Sequence, residues 1–307
     1  MRDIIGPALV NLGRQRPDFF VVDADNGPAT RIRAFGDAYP ERYVNVGCAE
    51  QNLVGVSAGL SLSGAPVIAA TFSVFLLGRA YDQVRNTIAA SRLPVVLLGT
   101  HTGLSTGADG GSHCCPEDIA LMRLLPGMQI LIPACSDDVT PMLQLALHTN
   151  GPSYIRIPRN DLWPAPPDVV PALDLKHPAL RCWRKGDDVA IVTAGLLLPR
   201  AIQAAEEISK TGHSVAIYDM PCLDIDPAET RNTLGGFRGV ISVEDHWPVG
   251  GLGEMVSSIL SRQSNQKFKK ITAEHHFPSS GDADEVLDDM GLSVGSIQSA
   301  VQNILNG

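Results

Sequence analysis

The chain has 307 residues, of which 44% are hydrophobic, 19% charged and 5% aromatic, and its formal net charge is -9. This length predicts two domains of roughly 150 residues each, and this composition is typical of an ordered globular protein. The negative charge, with no block of Lys or Arg residues, argues against a nucleic acid as the partner.

In the first half of the chain, segments with helical periodicity alternate with short apolar segments typical of strands. The predicted helices span residues 3–14, 50–63, 78–90, 117–124 and 136–148. The predicted strands span residues 19–22, 67–70, 95–98, 129–132 and 154–157. This alternation predicts a mostly parallel sheet flanked by helices.

Six prolines between residues 158 and 178 interrupt the pattern and favour an extended linker. A second alternating run follows, with predicted strands at 189–192, 214–218 and 239–243 and predicted helices at 199–210, 228–234, 253–260, 282–289 and 294–306. We therefore predict two tandem α/β domains, over residues 1–160 and 185–307, joined by a Pro-rich linker over residues 161–184.

The location of the protein is predicted from the absence of targeting signals. The N-terminal segment carries Asp3, Arg14 and Arg16 and lacks the continuous apolar core of a signal peptide. The most apolar stretch, residues 67–77, is too short to span a bilayer. We therefore expect a cytoplasmic protein without membrane association, and its six scattered cysteines should remain reduced.

Two stretches of the first half carry side chains suited to ligand binding. In Val46-Gly47-Cys48-Ala49-Glu50-Gln51-Asn52, a carboxylate and two amides stand where a helix is predicted to begin, although Glu50 could simply complement the helix dipole. Phe72 and Phe75 lie three residues apart after an apolar strand. Such rings could stack on a flat heterocycle or pack in the core, and the spacing alone leaves both possibilities open.

A glycine-rich loop runs from His101 to His113 and contains Asp109. Because the loop follows the predicted strand 95–98, its imidazoles should face the same rim as Glu50, unless they are incidental residues of a flexible loop. Cys114 and Cys115 follow directly, but adjacent cysteines do not match the spacing of zinc ligands.

The last strand of the first half is followed by Pro158-Arg159-Asn160. A guanidinium at this place could hold a sugar phosphate or could pair with a surface acid.

Taken together, these stretches resemble the transketolase family, in the split form in which one chain holds the pyrimidine-binding and C-terminal domains. The segments that occur in the family's order are G-x-A-E-Q-N at 47–52, T-F-x-x-F at 71–75, G-R-A-Y-D-Q at 78–83, A-D-G-x-S-H at 108–113 and E-D-I-A-L-M-R at 117–123. In the second half, V-E-D-H at 243–246 and G-G-L-G at 250–253 resemble the family's C-terminal domain.

The resemblance implies thiamine diphosphate as the cofactor. Glu50 matches the carboxyl that binds N1′ of the aminopyrimidine, which favours the tautomer whose exocyclic nitrogen deprotonates the thiazolium C2 carbon. Phe72 and Phe75 match the wall stacked on the pyrimidine, and Asp25 matches an aspartate close to the cofactor.

For the substrate, the resemblance implies a ketose phosphate donor whose two-carbon ketol unit passes to an aldehyde acceptor, a reaction of carbohydrate metabolism. His101 and His113 match residues that steer hydroxyls and protons during carbon–carbon cleavage. Asp109 would hold a substrate hydroxyl, and Arg159 would hold a phosphate.

The chain departs from the family at two points. Cys114 stands where the family has a glutamine, which leaves the identity of the substrate open. The family's G-D-G motif, which binds Mg²⁺ (or Ca²⁺) and the diphosphate, does not occur. We therefore expect no metal ligand in this chain, and a diphosphate-binding partner subunit in an α2β2 heterotetramer that is active only when assembled.

Three alternatives stay open. The β subunit of a 2-oxo-acid dehydrogenase shares the two domains but usually has H-S-Q after its glycine-rich loop. A specialised transferase could use a modified sugar or a carrier-bound thioester as the acceptor. A non-catalytic scaffold subunit would have no chemical reason to keep Glu50, both phenylalanines and both histidines. His246, His275 and His276 are expected to support the second domain, and Cys48 to be an ordinary small residue.

Overall fold

The computed structural model describes residues 2–160, 170–261 and 266–307. The helices of the first domain are α1 Arg2–Gln15, α2 Gly27–Thr30, α3 Arg33–Ala38, α4 Glu50–Leu62, α5 Ser73–Gln83, α6 Asp118–Arg123 and α7 Val139–His148. Its strands are β1 Phe20–Asp23, β2 Tyr43–Asn45, β3 Val67–Phe72, β4 Val95–Thr100, β5 Gln129–Leu131 and β6 Ser153–Ile157. They form one parallel sheet in the order β2-β1-β3-β4-β6-β5.

The second domain has a smaller sheet of its own. Its strands are β7 Arg181–Arg184, β8 Val189–Thr193, β9 Val215–Asp219, β10 Gly239–Val243 and β11 Lys267–Ile271. Its helices are α8 Leu198–Ser209, α9 Pro227–Leu234, α10 Leu252–Leu260, α11 Ala283–Asp289 and α12 Val294–Asn306. The strand order is β11-β10-β8-β9-β7, and all pairs are parallel except β7 with β9. No helix among the described residues has both the length and the apolar character needed to cross a bilayer.

The predicted fold class, two α/β domains with mostly parallel sheets, is confirmed. The bounds of strands β2, β7 and β11 were not predicted, because each is short or rich in charged residues. Strand β7 lies within the range predicted as a linker, where it pairs with β9, so the second sheet begins before residue 185. Residues 161–169 of that range lie outside the described residues, and the domain bounds stay a prediction.

Helix α5 begins earlier than its periodicity predicts. It begins at Ser73, directly after β3, and a π-helical segment, Val84–Ala89, continues it. Gly78, taken from the sequence as the first helical residue, lies inside the helix. Glycine costs about 1 kcal/mol in a helix interior, which burial of Leu76, Leu77 and Ala80 offsets. As a result Phe75 lies on the first turn of α5.

The hydrophobic core continues from one domain into the other. One cluster of buried side chains includes Val54 and Ala80 of the first domain together with Val192 and Leu252 of the second. Two further clusters cover the opposite faces of the two sheets. Because the domains share this core, they pack as one unit rather than as two bodies joined by a tether.

A buried arginine joins the domains through two carboxylates. Arg156 in β6 is 2% exposed, and its Nε donates to Asp118 at 2.9 Å while its Nη1 donates to Asp245 of the second domain at 2.8 Å. The hydroxyl of Tyr154 also donates to Asp118, at 2.8 Å. A buried charge needs such partners, so Arg156 belongs to the domain interface rather than to a ligand site.

A second buried arginine repeats this arrangement from the other domain. Arg181 in β7 donates to Asp138 of the first domain at 2.8 Å and to Asp219 in β9 at 2.9 Å. The indole of Trp183 donates to Asp219 at 2.8 Å. Arg156 and Arg181, together with the side chains bonded to them, are called the domain seam below.

Candidate active site

The predicted site residues lie at one edge of the first sheet, where the carboxyl ends of its parallel strands meet. In the strand register, Phe72 at the end of β3 lies beside Thr100 at the end of β4, and Thr100 lies beside Ile157 in β6. His101 therefore leaves β4 beside the start of α5. Ligands of parallel α/β sheets bind at this edge, so the topology alone favours a site here.

Glu50 is the first residue of α4, and its carboxyl is buried. Both of its oxygens accept from Nη1 of Arg79, at 3.3 Å and 3.2 Å, and the Arg79 side chain is 58% exposed. A cavity of about 700 Å³, called the Glu50 cavity below, opens here and is lined by Cys48, Ala49, Glu50, Gln51, Asn52 and Arg79. The Glu50 carboxyl therefore lies beside an accessible cavity. The exposed side chain that contacts it, Arg79, is long and flexible enough to move aside.

Four rings form a wall next to this carboxyl. The rings of Phe72 and Phe75 are stacked with centroids 5.7 Å apart and an interplanar angle of 23°. The His101 ring lies 3.8 Å from Phe72, and the His113 ring meets Phe75 edge-on at 5.3 Å. The guanidinium carbon of Arg79 lies 4.6 Å from the Phe75 centroid. The structure therefore brings both predicted phenylalanines and both predicted histidines together, with Arg79 between the rings and Glu50.

Two residues of this edge have a left-handed backbone. His101 has a φ of +57° and Asp25 a φ of +64°, a conformation that costs a non-glycine residue about 1–2 kcal/mol. The His101 ring is fixed by a 3.1 Å contact between Nδ1 and the hydroxyl of Thr100. The Asp25 carboxyl accepts from the Asn45 amide at 2.8 Å, and the Cys48 thiol lies 3.9 Å away. Such strain favours a functional role for the edge.

The structure places the two other predicted substrate residues in contact with each other. Nη1 of Arg159 donates to Asp109 at 2.8 Å and also to the backbone carbonyl of Thr106. A cavity of about 560 Å³, called the distal cavity below, is lined by Thr106, Gly107, Ala108, Arg159 and Asn160 of the first domain and by residues 281–284 of the second. The Arg159 side chain is 28% exposed, so a ligand in this cavity could reach it.

The V-E-D-H motif of the second domain lies at the domain interface. His246 is fully buried, accepts from the backbone N–H of Ala120 at 3.2 Å and donates to the carbonyl of Trp247. Burial disfavours its charged form and lowers its pKa to about 4. The carboxyl of Glu244 accepts from two backbone N–H groups at the start of α10, and burial raises its pKa to about 7. These contacts join structural elements and do not face the site.

The cysteines near the glycine-rich loop do not form a metal site. Cys114 is buried with its sulfur 2.8 Å from the hydroxyl of Thr106, and burial raises the pKa of its thiol. Within the described parts of the chain, no group of three or more His, Cys, Asp and Glu side chains could hold a metal ion. Cys114, at the position of the family's glutamine, thus joins the end of the loop to Thr106.

Sequence reasoning did not single out Arg79. It lies four residues after Phe75 in α5, so the two side chains share one helix face, and this spacing is a signal that the sequence does contain. The contact with Glu50 joins residues 29 positions apart, which the sequence alone does not reveal.

Comparisons with known proteins agree with this geometry. The family model for the transketolase pyrimidine-binding domain matches residues 1–164, and the model for the transketolase C-terminal domain matches residues 179–297. A protein of Methanocaldococcus jannaschii with the provisional name transketolase C-terminal section is 34% identical over 304 residues, which cover 97% of this chain and 93% of that protein.

Two further similarities cover the whole chain. A 1-deoxy-D-xylulose-5-phosphate synthase of Carboxydothermus hydrogenoformans is 29% identical, and the match covers 99% of this chain but 49% of that longer protein. A solved split gene transketolase, described as an inactive β4 tetramer, has a TM-score of 0.88 and 35% identity, with 99% of this chain and 98% of that chain covered. The chain therefore belongs to the transketolase family, of which it contains the pyrimidine-binding and C-terminal domains.

Proposed function

We propose that this chain is one subunit of a two-component, thiamine-diphosphate-dependent transketolase, which transfers a two-carbon ketol unit from a ketose phosphate to an aldehyde acceptor. The observation that carries the proposal is the buried carboxyl of Glu50, which opens onto a cavity beside the stacked rings of Phe72 and Phe75. Members of the family use thiamine diphosphate, and these residues suit its aminopyrimidine ring.

The fit to the aminopyrimidine rests on two properties of the site. A planar heterocycle needs apolar contact on its faces, which Phe72 and Phe75 offer, and a hydrogen-bonding partner at a ring nitrogen, which Glu50 offers. The exposed Arg79 would exchange its contact with Glu50 for one with solvent or ligand. The family's G-D-G motif does not occur in this sequence, and we propose that the partner subunit binds the diphosphate together with Mg²⁺ or Ca²⁺.

The residues of this chain then have distinct roles. When bound, thiamine diphosphate supplies the carbon nucleophile that carries the two-carbon unit. Glu50 holds a proton against the ring nitrogen N1′, a role that benefits from a carboxyl shielded from water. His101, whose ring lies against Phe72, and His113, whose ring meets Phe75 edge-on, move protons at the donor's hydroxyl oxygens.

The substrate is oriented farther along the same edge. Asp109 accepts a hydrogen bond from a substrate hydroxyl, and Arg159 donates to a phosphate. Their mutual ion pair, at 2.8 Å, holds the two side chains together until a substrate replaces it, and Arg159 lines the distal cavity. Asp25 lies beside Cys48, which lines the Glu50 cavity, and there it would contact the cofactor.

The proposed assembly is an α2β2 heterotetramer with a diphosphate-binding subunit. The Glu50 cavity is open, as expected for half of a site that a second chain completes. The similar split gene transketolase is described as inactive in its β4 tetramer, which supports a requirement for the partner. The cytoplasmic location expected from the N-terminal segment stays a prediction.

The proposal is tested by mixing the chain with the product of the adjacent reading frame, thiamine diphosphate, Mg²⁺ and a ketose phosphate, and by following aldose release. We expect Glu50→Gln to lower kcat at least about 100-fold without changing the unfolding midpoint, because the proton at N1′ is lost. The matched control is Glu229→Gln, at an exposed position of α9. Aldose release without the partner would reject the two-component assembly, and an active Glu50→Gln variant would reject the role of Glu50.

The same complex distinguishes the alternatives. Decarboxylation of pyruvate or a branched 2-oxo acid would assign it to the 2-oxo-acid dehydrogenase type, and transfer to a carrier-bound thioester to a specialised transferase. A stable complex that turns over none of these donors would leave the scaffold role. The replacement of the family's glutamine by Cys114, bonded to Thr106, is the observation that keeps the acceptor open.

A further inference from the structure

The second domain contributes a segment that packs directly on the glycine-rich loop. This rim segment comprises residues 275–282. A Cβ placed on Gly111 would lie 3.0 Å from the carbonyl oxygen of Pro278 and 3.3 Å from Cβ of Phe277. A Cβ on Gly110 would clash with the hydroxyl of Ser280. Two consecutive glycines of the loop are therefore in contact with the other domain, and a side chain at either position would require its neighbours to shift.

The rim segment is itself anchored at both ends. Before it, the backbone N–H of Ala273 donates to the carbonyl of His246 at 3.0 Å. At its end, the side chain of Asp282 caps α11 by accepting from a backbone N–H at 2.9 Å. Between these points, the rings of His275 and Phe277 meet the ring of Trp247 edge-on at 5.5 Å and 6.3 Å. The segment can thus act as a fixed support for the loop.

The loop that carries Asp109 and His113 is held by backbone bonds within itself and by side-chain contacts with Arg159 and Phe75. The N–H of Gly110 donates to Gly107, and the N–H of His113 donates to Gly110, both at 3.0 Å. Short turns of this kind are of low local stability unless another element packs on them. The packing of the rim segment on Gly110 and Gly111 supplies such a constraint, in addition to the contacts of Asp109 with Arg159 and of His113 with Phe75.

The same part of the second domain lines one part of the distal cavity. Residues 281–284 line the cavity opposite Arg159, and the methyl group of Ala283 lies 3.4 Å from the place that a Cβ on Gly107 would occupy. A substrate group held by Arg159 would therefore contact the second domain.

We propose that the rim segment is a positioning element for the loop that carries Asp109 and His113, and that Ala283, directly after the segment, sets the length of substrate that fits beside Arg159. The first statement concerns this chain alone, whereas the second rests on the proposed function. The second domain thus takes part in substrate selection as well as in the fold.

Hydrogen exchange of the full chain tests the positioning role. Gly111→Ala adds a methyl group at the contact, and we expect exchange of the Gly110 and His113 amides to become about tenfold faster, as the loop separates from the rim segment. Gly236→Ala is the matched control, since no atom lies within 4 Å of its new methyl group and exchange in the loop should not change. Equal exchange in both variants would overturn the positioning role, whatever the activity.

Steady-state kinetics of the assembled complex test whether Ala283 limits the length of the substrate. Ala283→Leu extends into the distal cavity, and we expect the KM for a ketose phosphate to rise about tenfold while the KM for hydroxypyruvate, a short donor without phosphate, is unchanged. Ala228→Leu is the control, because this exposed alanine also follows an aspartate cap. An equal effect on both donors would overturn the proposed role of Ala283. If the wild-type complex turned over neither donor, the proposed function and the proposed role of Ala283 would both be rejected. The exchange data would still decide the positioning role of the rim segment.

Discussion

Two arginines at the end of β6 show how the domain seam differs from the candidate site. Arg156 and Arg159 are three residues apart, yet the first is 2% exposed between two carboxylates and the side chain of the second is 28% exposed with Asp109 as its acidic partner. The second domain covers Arg156 with Asp245 but leaves an open cavity in front of Arg159. The same side chain therefore stabilises the fold at one position and is available to a ligand at the other.

The largest effect on stability is expected at the seam. Arg156→Met leaves Asp118 and Asp245 buried without their cation, which should lower the free energy of unfolding by about 3–5 kcal/mol in urea titrations. The control is Arg33→Met, whose exposed pair with Asp37 should contribute little to stability because solvent screens it. A loss as small as that of the control would remove the distinction between the two arginines.

The same substitution at the candidate site should act on affinity instead. We expect Arg159→Met to raise the KM for a ketose phosphate about 10- to 100-fold, because a charge-assisted contact to the phosphate is lost. Its free energy of unfolding should change by less than about 1 kcal/mol, since the pair with Asp109 is partly exposed. An unchanged KM, measured beside the wild-type complex, would show that the phosphate is held elsewhere.

A smaller effect on stability is expected from the titration of Glu244, the buried neighbour of Asp245 in the sequence. Burial raises the pKa of Glu244 to about 7 from an ordinary value of 4.5, so the folded state binds this proton more tightly than the unfolded state. Its contribution is fully present below about pH 4.5 and is lost as the pH rises through 7. Between about pH 5 and about pH 8, the wild type should therefore lose about 1–3 kcal/mol more than Glu244→Gln.

Chemical denaturation of both proteins across this range measures the difference. The neighbouring Asp245 and His246 are common to both, so they cancel. Parallel profiles would mean that the N–H groups of Leu252 and Gly253 keep the carboxylate charged despite its burial.

The architecture could be predicted from the sequence because alternating helical and apolar segments leave few arrangements other than tandem α/β domains. The placement of Glu50, Phe72, Phe75 and His101 at one rim followed from the same argument, since parallel strands end together. Strand β7 could not be predicted, because two of its four residues are arginines and charged residues usually indicate an exposed segment. Arg181 is buried only because Asp138 and Asp219, which are distant in sequence, pair with it.

The details of the site depended on contacts between distant parts of the chain. Nothing in the segment 156–159 distinguishes a seam arginine from a site arginine, because the covering carboxylate of Asp245 lies 89 positions away. The pair of Asp109 with Arg159 depends in a similar way on how the glycine-rich loop folds back. The roles of these residues in catalysis stay predictions that the experiments above address.

The end of the first sheet has a consequence for how the protein is made. Strand β5 is the last strand of that sheet, and residues 221–223 of the second domain run antiparallel beside it, with backbone bonds of 2.8 Å from Ile132 to Pro221 and 3.1 Å from Leu223 to Ile130. During synthesis, the first domain emerges from the ribosome before this cover exists, with a free strand edge of the kind that promotes aggregation. Completion of the second domain therefore protects the nascent chain, and a gene truncated after the first domain would encode an aggregation-prone product.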